Sequence, residues 1–227
     1  MNAFSDTTIY ILYKHVGGIL VKKYLLEYFG HKDVLIMNLL FVIGLIWTLT
    51  SFSQWTTWLA VVAGMAAYAL SEYSIHRFLF HMKPPKNLTL LKLIKRLHYD
   101  HHVTPNDLKL LFLPVWYSLP LISIAFGLVW LVTGQWHLAI AFTTGLLGYL
   151  LFYEWTHYVA HRPIVPKTAW GRWMKKLHLL HHFKNENYWY GVTNPSLDLL
   201  MGTFEDEKNV DKSKTAKNLE QREREPS

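Results

Sequence analysis

Polar and apolar positions along this chain fall into long blocks. No Asp, Glu, Lys or Arg occurs from Val34 to Ser71, and none from Leu110 to Tyr153. A helix that crosses a bilayer needs about 20 apolar residues, so each block predicts two passes joined by a tight turn. The turns fall at Ser51–Thr56 (SFSQWT) and Thr133–His137 (TGQWH). Trp47, Trp55, Trp58, Trp130 and Trp136 gather around them, as aromatics do at a membrane–water boundary. Two uncharged runs of this length exceed what core helices of a soluble protein carry. The pattern therefore predicts an all-α integral membrane protein with four transmembrane helices in two hairpins.

Charge then sets the expected orientation. The chain carries 23 Lys/Arg and 16 Asp/Glu, a net charge of +7. All the cations lie outside the two blocks: 4 before the first, 7 between them and 12 after the second. Both short turns have none. The positive-inside rule puts the N-terminus, the middle segment and the C-terminus in the cytoplasm. A basic chain of this kind need not bind nucleic acid, because its cations follow membrane topology rather than forming a basic face. With no cysteine, disulfides and thiolate metal sites are excluded.

The flanks read differently. Residues 1–33 mix apolar positions with Lys14, Lys22 and Lys23, as an amphipathic segment lying on the membrane surface would. They lack the layout of a cleavable signal peptide. Residues 205–227 are polar and are expected to be disordered.

Chemistry concentrates in the histidines. Ten of the 13 fall in four modules: His76-x4-His81, His98-x2-His101-His102, His157-x3-His161 and His178-x2-His181-His182. His15, His31 and His137 stand alone and are read as ordinary surface or core residues. On a helix, positions i, i+3 and i+4 share a face, so each H-x2-H-H turns three imidazoles one way. The five-residue step from His76 to His81 does not fit a regular helix and requires a distortion or an end between them. His81, His98, His101 and His102 recur 80 residues later as His161, His178, His181 and His182. Each half is thus a hairpin, a histidine pair and an H-x2-H-H, and all ten imidazoles can converge on one cytoplasmic helical cap.

Five nitrogen ligands suit one transition metal and ten suit two. Five are too many for a closed tetrahedral zinc site, and they leave one octahedral position open. Two irons suit a redox task, with zinc as the ion that would displace them in a preparation. Within each H-x2-H-H, the outer histidines are expected to serve their own half's metal and the middle one, His101 or His181, to cross over. Glu72 and Glu154, close to His76 and His157, are either carboxylates that orient histidines or solvated boundary charges. The Lys95-Arg96 and Lys175-Lys176 pairs fit a headgroup-facing side.

The four modules in this order, between two hairpins, resemble the membrane-bound fatty acid hydroxylase/sterol desaturase superfamily. EYSIHRFLFH (Glu72–His81) and YGVTNPSLDLLMGTF (Tyr190–Phe204) resemble the fatty acid 2-hydroxylases more narrowly. The likeness covers roughly residues 70–204, so residues 34–204 would form the hydroxylase-type membrane domain. It implies a dinuclear site with His76, His81, His98, His101, His102, His157, His161, His178, His181 and His182 as ligands to two irons. It also implies O2 as co-substrate and a hydroxyl placed at C2 of a long acyl chain, free or in a ceramide-type lipid. Electrons would come from an external donor: a cytochrome b5-type protein, a ferredoxin or a reductase. HVGG at 15–18 is superficially like the haem-ligand phrase of a cytochrome b5 domain, but too few residues surround it, so it is read as coincidence.

The prolines of LFLPVWYSLPL (Leu111–Leu121) are expected to bend the third helix and open a lipid path to the metals. Sterol or carotenoid hydroxylation and desaturation are the alternatives within the superfamily. A histidine-rich metal transporter is the alternative from another class. Such a protein binds its ion near the bilayer midplane, where these blocks offer only His137, at an outer turn.

Overall fold

In the computed structural model, residues 22–223 are described, and His15, most of the expected interfacial segment (1–21) and the last residues of the tail lie outside them. All the regular secondary structure among the described residues is helical. A short α1 (22–30) leads into α2 (Lys32–Leu49), and α3 (Trp55–Ser74) continues as a π-helical turn, Ile75–Phe80. Next come α4 (Leu88–Ile94), a second π-helical turn (Lys95–Tyr99), α5 (Asp100–Val103) and α6 (Leu108–Leu111). The long α7 (Val115–Thr133) and α8 (Trp136–Ala160) follow, then α9 (Ala169–Phe183) and α10 (Ser196–Leu200).

Four helices are long and apolar enough to cross a membrane: Lys32–Leu49, Trp55–Phe80, Leu108–Thr133 and Trp136–Ala160. They match the two expected hairpins. Both turns lie at one end, where the Trp47 and Trp136 rings meet edge to face at 5.5 Å. Gly134, at φ 65°, closes α7 in the left-handed conformation that favours glycine. Outward-facing Leu39, Ile43, Ile46, Val62, Ile124, Leu128 and Leu131 are exposed. That apolar girdle is stable against lipid and would be a liability in water.

The inner helix is α8, which packs on α2, α3, α7 and α9. Its approach to α3 depends on two glycines. A Cβ on Gly64 would stand 1.9 Å from the Phe142 carbonyl oxygen, and one on Gly145 would stand 2.0 Å from that of Val61. Small residues at such crossings let backbones touch, which replaces the hydrophobic drive that lipid removes. Between α2 and α8, the Thr48 and Thr144 hydroxyls meet at 3.2 Å.

The distortion required between His76 and His81 is the first π-helical turn. The His81 amide donates to the His76 carbonyl at 3.1 Å, an i→i+5 bond. His157 and His161 sit instead on regular α8 and its cap. One extra residue in the first pair is thus absorbed as a π turn, and both pairs keep their rings on one side. The third span differs from expectation in detail. Its break comes at Pro114, the residue that precedes α7, while α7 runs through Pro120 without interruption.

Residues 205–223 overturn the expectation of a disordered tail. Val210 packs with Met174, Leu177 and Trp189, and Leu219 packs with Ile94 and Tyr99. The Ser213 amide donates to the Lys184 carbonyl at 2.8 Å, and Lys95 pairs with Glu220 at 2.5 Å. The composition misleads because a few buried apolar anchors hold an otherwise polar strap.

Candidate metal centre

Ten histidines converge at the end of the bundle away from the hairpin turns, in two groups of five. The first holds His76, His81, His98, His102 and His181, and the second His101, His157, His161, His178 and His182. Within each group the candidate ligand nitrogens lie within 4.8 Å of one another, and every residue is buried. Each group takes four imidazoles from one half of the chain and the middle histidine of the other half's module. The groups adjoin, with the His102 and His182 rings stacked at 4.0 Å. His31 and His137 belong to neither group.

Several elements aim these rings. The π turn carries His76 and His81, α4 and its π extension deliver His98, and α5 delivers His101 and His102. The end of α8 supplies His157 and His161, and the buried face of α9 supplies His178, His181 and His182. The Lys175 ammonium donates to the carbonyls of Val159 (2.9 Å), Arg162 (2.6 Å) and Ile164 (2.9 Å), which holds the end of α8 beside α9. Lys175 is therefore occupied inside the fold, while Lys95 pairs at the surface with Asp100 and Glu220.

Three Nδ1 atoms are tied to backbone carbonyls: His76 to Tyr190 (2.5 Å), His181 to Tyr188 (2.7 Å) and His102 to Ala216 (2.8 Å). A carbonyl only accepts, so each of these Nδ1 atoms carries the proton and each Nε2 turns a lone pair inward. These carbonyl acceptors were not legible in sequence, since any residue type supplies one.

The inner nitrogens fit shared ions better than each other. His98 Nε2 lies 3.2 Å from His76 Nε2, 2.8 Å from His81 Nε2 and 3.0 Å from His102 Nε2. One imidazole nitrogen has a single proton or a single lone pair and cannot satisfy three such neighbours. Two nitrogens at right angles about one transition-metal ion, each about 2.1 Å from it, stand roughly 3 Å apart. His182 Nε2 is buried without a partner among the described residues. Burial, with repulsion from neighbouring rings, holds His81, His98, His101, His161, His178, His181 and His182 well below the ordinary imidazole value. It pushes His102 down to about 3. Neutral imidazole is the form that binds metal.

Among the described residues Glu72 and Glu154 hydrogen-bond to no histidine, and neither is solvated: they are 7% and 4% exposed. Glu72 accepts from the Val192 amide (2.7 Å), the Thr193 amide (2.9 Å) and the Thr193 hydroxyl (2.6 Å). Asp198 receives the Tyr190 and Gly191 amides, both at 2.8 Å. Together these carboxylates fix the Tyr190–Thr193 loop whose carbonyl holds His76. Glu154 accepts from the Leu113 amide at 2.9 Å and so anchors the break before α7.

A cavity of about 320 Å³ runs from this centre between α3, α7 and α8. His76 and Phe80 form its inner end, Tyr68, Tyr117 and Tyr153 line its middle, and Ala125, Phe142 and Leu146 lie deeper in the bundle. Leu113, Tyr117, Ser118 and Leu121, from the proline-flanked stretch, are in its wall.

Comparison with known proteins agrees with these features. A sequence model described as fatty acid hydroxylase matches residues 61–203. A fatty acid 2-hydroxylase of Rattus norvegicus is 38% identical over 149 residues, which is 63% of this chain and 38% of that protein. A dihydroceramide fatty acyl 2-hydroxylase of Arabidopsis thaliana is 35% identical over 147 residues, covering 64% of this chain and 60% of its own. Such matches thus span about two fifths to three fifths of these relatives' lengths. The hydroxylase domain visible in a solved structure of full-length Scs7p superposes with a TM-score of 0.60 and 25% identity, over 90% of this chain and 67% of that one.

Proposed function

This chain belongs to the fatty acid hydroxylase family, and on that premise we propose that it is an O2-dependent dimetal lipid hydroxylase acting at C2 of a long acyl chain. The observation that carries the reading is the convergence of ten buried imidazoles in two adjoining groups, one of them, His76, lining the inner end of an apolar cavity. His76, His81, His98, His102 and His181 would hold one iron, and His101, His157, His161, His178 and His182 the other. Ions held there would supply the redox chemistry for a reaction whose overall balance places one atom of O2 in an unactivated C–H bond and the other in water, with two electrons from a redox partner and two protons from solvent.

The chain's own residues do the rest. An acyl chain enters between α3 and α7 from the lipid and lies along Tyr68, Tyr117 and Tyr153. C2 is one bond from the acyl carbonyl, so the polar end must sit beside His76, where Ser71 and Ser118 offer hydroxyls. Buried packing around the rings and the strap over them exclude water, which protects the reaction from side products. In this reading the four helices span the membrane and the histidine end faces the cytoplasm, an orientation that the cation distribution supports.

Expression in a lipid-producing host, with lipid analysis by mass spectrometry, tests the proposal. Acyl products 16 mass units heavier and hydroxylated at C2 are expected from the wild type and absent from His101→Ala. Their absence from the iron-loaded wild type, supplied with a reductant system and O2, would refute it.

A further inference from the structure

Behind the histidine centre lies a second concavity that the hydroxylase reading leaves unused. It has a volume of about 720 Å³ and forms where the start of α2, the segment around α6 and the residues just after α8 meet. Four cations line it: Lys32, Arg96, Lys109 and Arg162. Its two carboxylates are turned to backbone amides. Asp33 accepts from Val115 at 3.0 Å and Asp107 from Lys109 at 2.9 Å. Arg162 is paired with Glu27 at 2.5 Å.

The other three cations are uncommitted. Among the described residues none of Lys32, Arg96 and Lys109 has an ion-pair partner. Arg96 Nη1 is screened from solvent and donates no hydrogen bond among the described residues. A desolvated guanidinium nitrogen without an acceptor costs stability unless a ligand supplies one. The 18-residue α2 also opens here, and its N-cap residue, His31, makes no side-chain cap. Its first amides and the positive end of its dipole add to the same field. Trp116 on the rim is 55% exposed, as interfacial aromatics are.

We propose that this hollow binds a phosphate group, presented by a phospholipid headgroup or as free inorganic phosphate. Arg96 takes two of its oxygens, while Lys32 and Lys109 neutralise the remaining charge. Guanidinium geometry matches phosphate, and the two ammoniums act as point charges. The site is separate from the acyl cavity, so its occupant is a bound anion rather than the substrate.

Native mass spectrometry of the purified full chain tests this with three probes: dioleoylphosphatidylglycerol, dioleoylglycerol and inorganic phosphate. Retention of phosphatidylglycerol but not dioleoylglycerol is expected of the wild type. Loss of roughly tenfold or more is expected in Arg96→Gln/Lys109→Gln. A second variant, Lys32→Gln/Lys109→Gln, changes only exposed side chains and should weaken retention with the fold intact, judged by unchanged metal content. Retention of inorganic phosphate alone, lost in the same variants, would support the site with the free ion as its occupant. Equal retention by the wild type and both variants, or dioleoylglycerol held as tightly as phosphatidylglycerol, would overturn the proposal.

Discussion

His181 and His81 face each other at 3.0 Å between Nε2 atoms, although 100 residues separate them. His181 rides on α9 with the second half's histidines yet completes the first half's group, and His101 does the converse. The crossing makes the two groups interdependent in folding but separable in composition. His181→Ala should therefore lower the bound metal from about two ions per chain to about one, with the loss confined to the group containing His81. His178→Ala should empty the other group instead. Metal analysis on protein of matched fold, with a spectroscopic probe of each site, checks this. Equal loss from both groups in both variants would show that the division is not functional.

A second expectation concerns the strap. Arg222 donates to the His81 carbonyl at 2.6 Å and to Asn187 Oδ1 at 2.7 Å, while the Ala216 carbonyl receives His102 Nδ1. Both histidines belong to the first group. Arg222→Ala removes two charge-assisted bonds, a loss of about 1.5–3 kcal/mol for each bond made by a charged group, less what water restores. Metal should leave the first group faster under chelator challenge, with the second group unaffected. A release rate unchanged from wild type would remove the strap from any role at the centre.

Much of this arrangement was legible in the sequence because it is written in spacing. The 80-residue register between His98 and His178 announced two like halves, and the charge-free blocks announced the hairpins. The five-residue step from His76 to His81 signalled a distortion but not its type. A π turn depends on one extra residue accommodated without breaking the helix. Glu72 was visible as a carboxylate near His76, but its true partners lie 120 and 121 residues away at Val192 and Thr193. No local pattern encodes that pairing. The strap failed for a related reason: its order depends on Val210, Ala216 and Leu219 finding sites built by α4 and α9, which composition does not contain.

Acid should destabilise the metal-free protein. Burial holds the histidines outside the membrane helices below their ordinary value, and His102 lies at about 3. An unfolded imidazole titrates near about 6.5, so below that pH the unfolded chain binds more protons than the folded one. The stability of these neutral rings is fully present above about pH 6.5 and is lost as the pH falls toward the folded values. The melting temperature of chelator-treated protein should fall between pH 7.5 and pH 5, more steeply than one proton would produce. A flat profile across that range would contradict the burial of neutral rings.

The depth of the acyl cavity should set chain-length preference. Phe142 lies level with Gly64, where the backbones of α3 and α8 touch, and Gly64 precedes His76 by twelve residues. At 1.5 Å per residue that is roughly 18 Å of helix between the metal end and the Phe142 ring. If, as proposed, the histidines fix one end of the acyl chain, the residues at the other end decide how long a tail fits without bending out into lipid. Phe142→Ala deepens the cavity and should shift the hydroxylated products toward longer acyl chains. The half-buried ring should cost about 1–3 kcal/mol of stability, less than a fully buried Phe. Ala125→Phe fills the same region from α7 and should shift products the opposite way. Comparing the ratio of long to short hydroxylated chains in one mixed substrate pool separates depth from stability, since a merely destabilised enzyme loses all products in proportion. If neither substitution moves that ratio, the tail does not lie in this cavity.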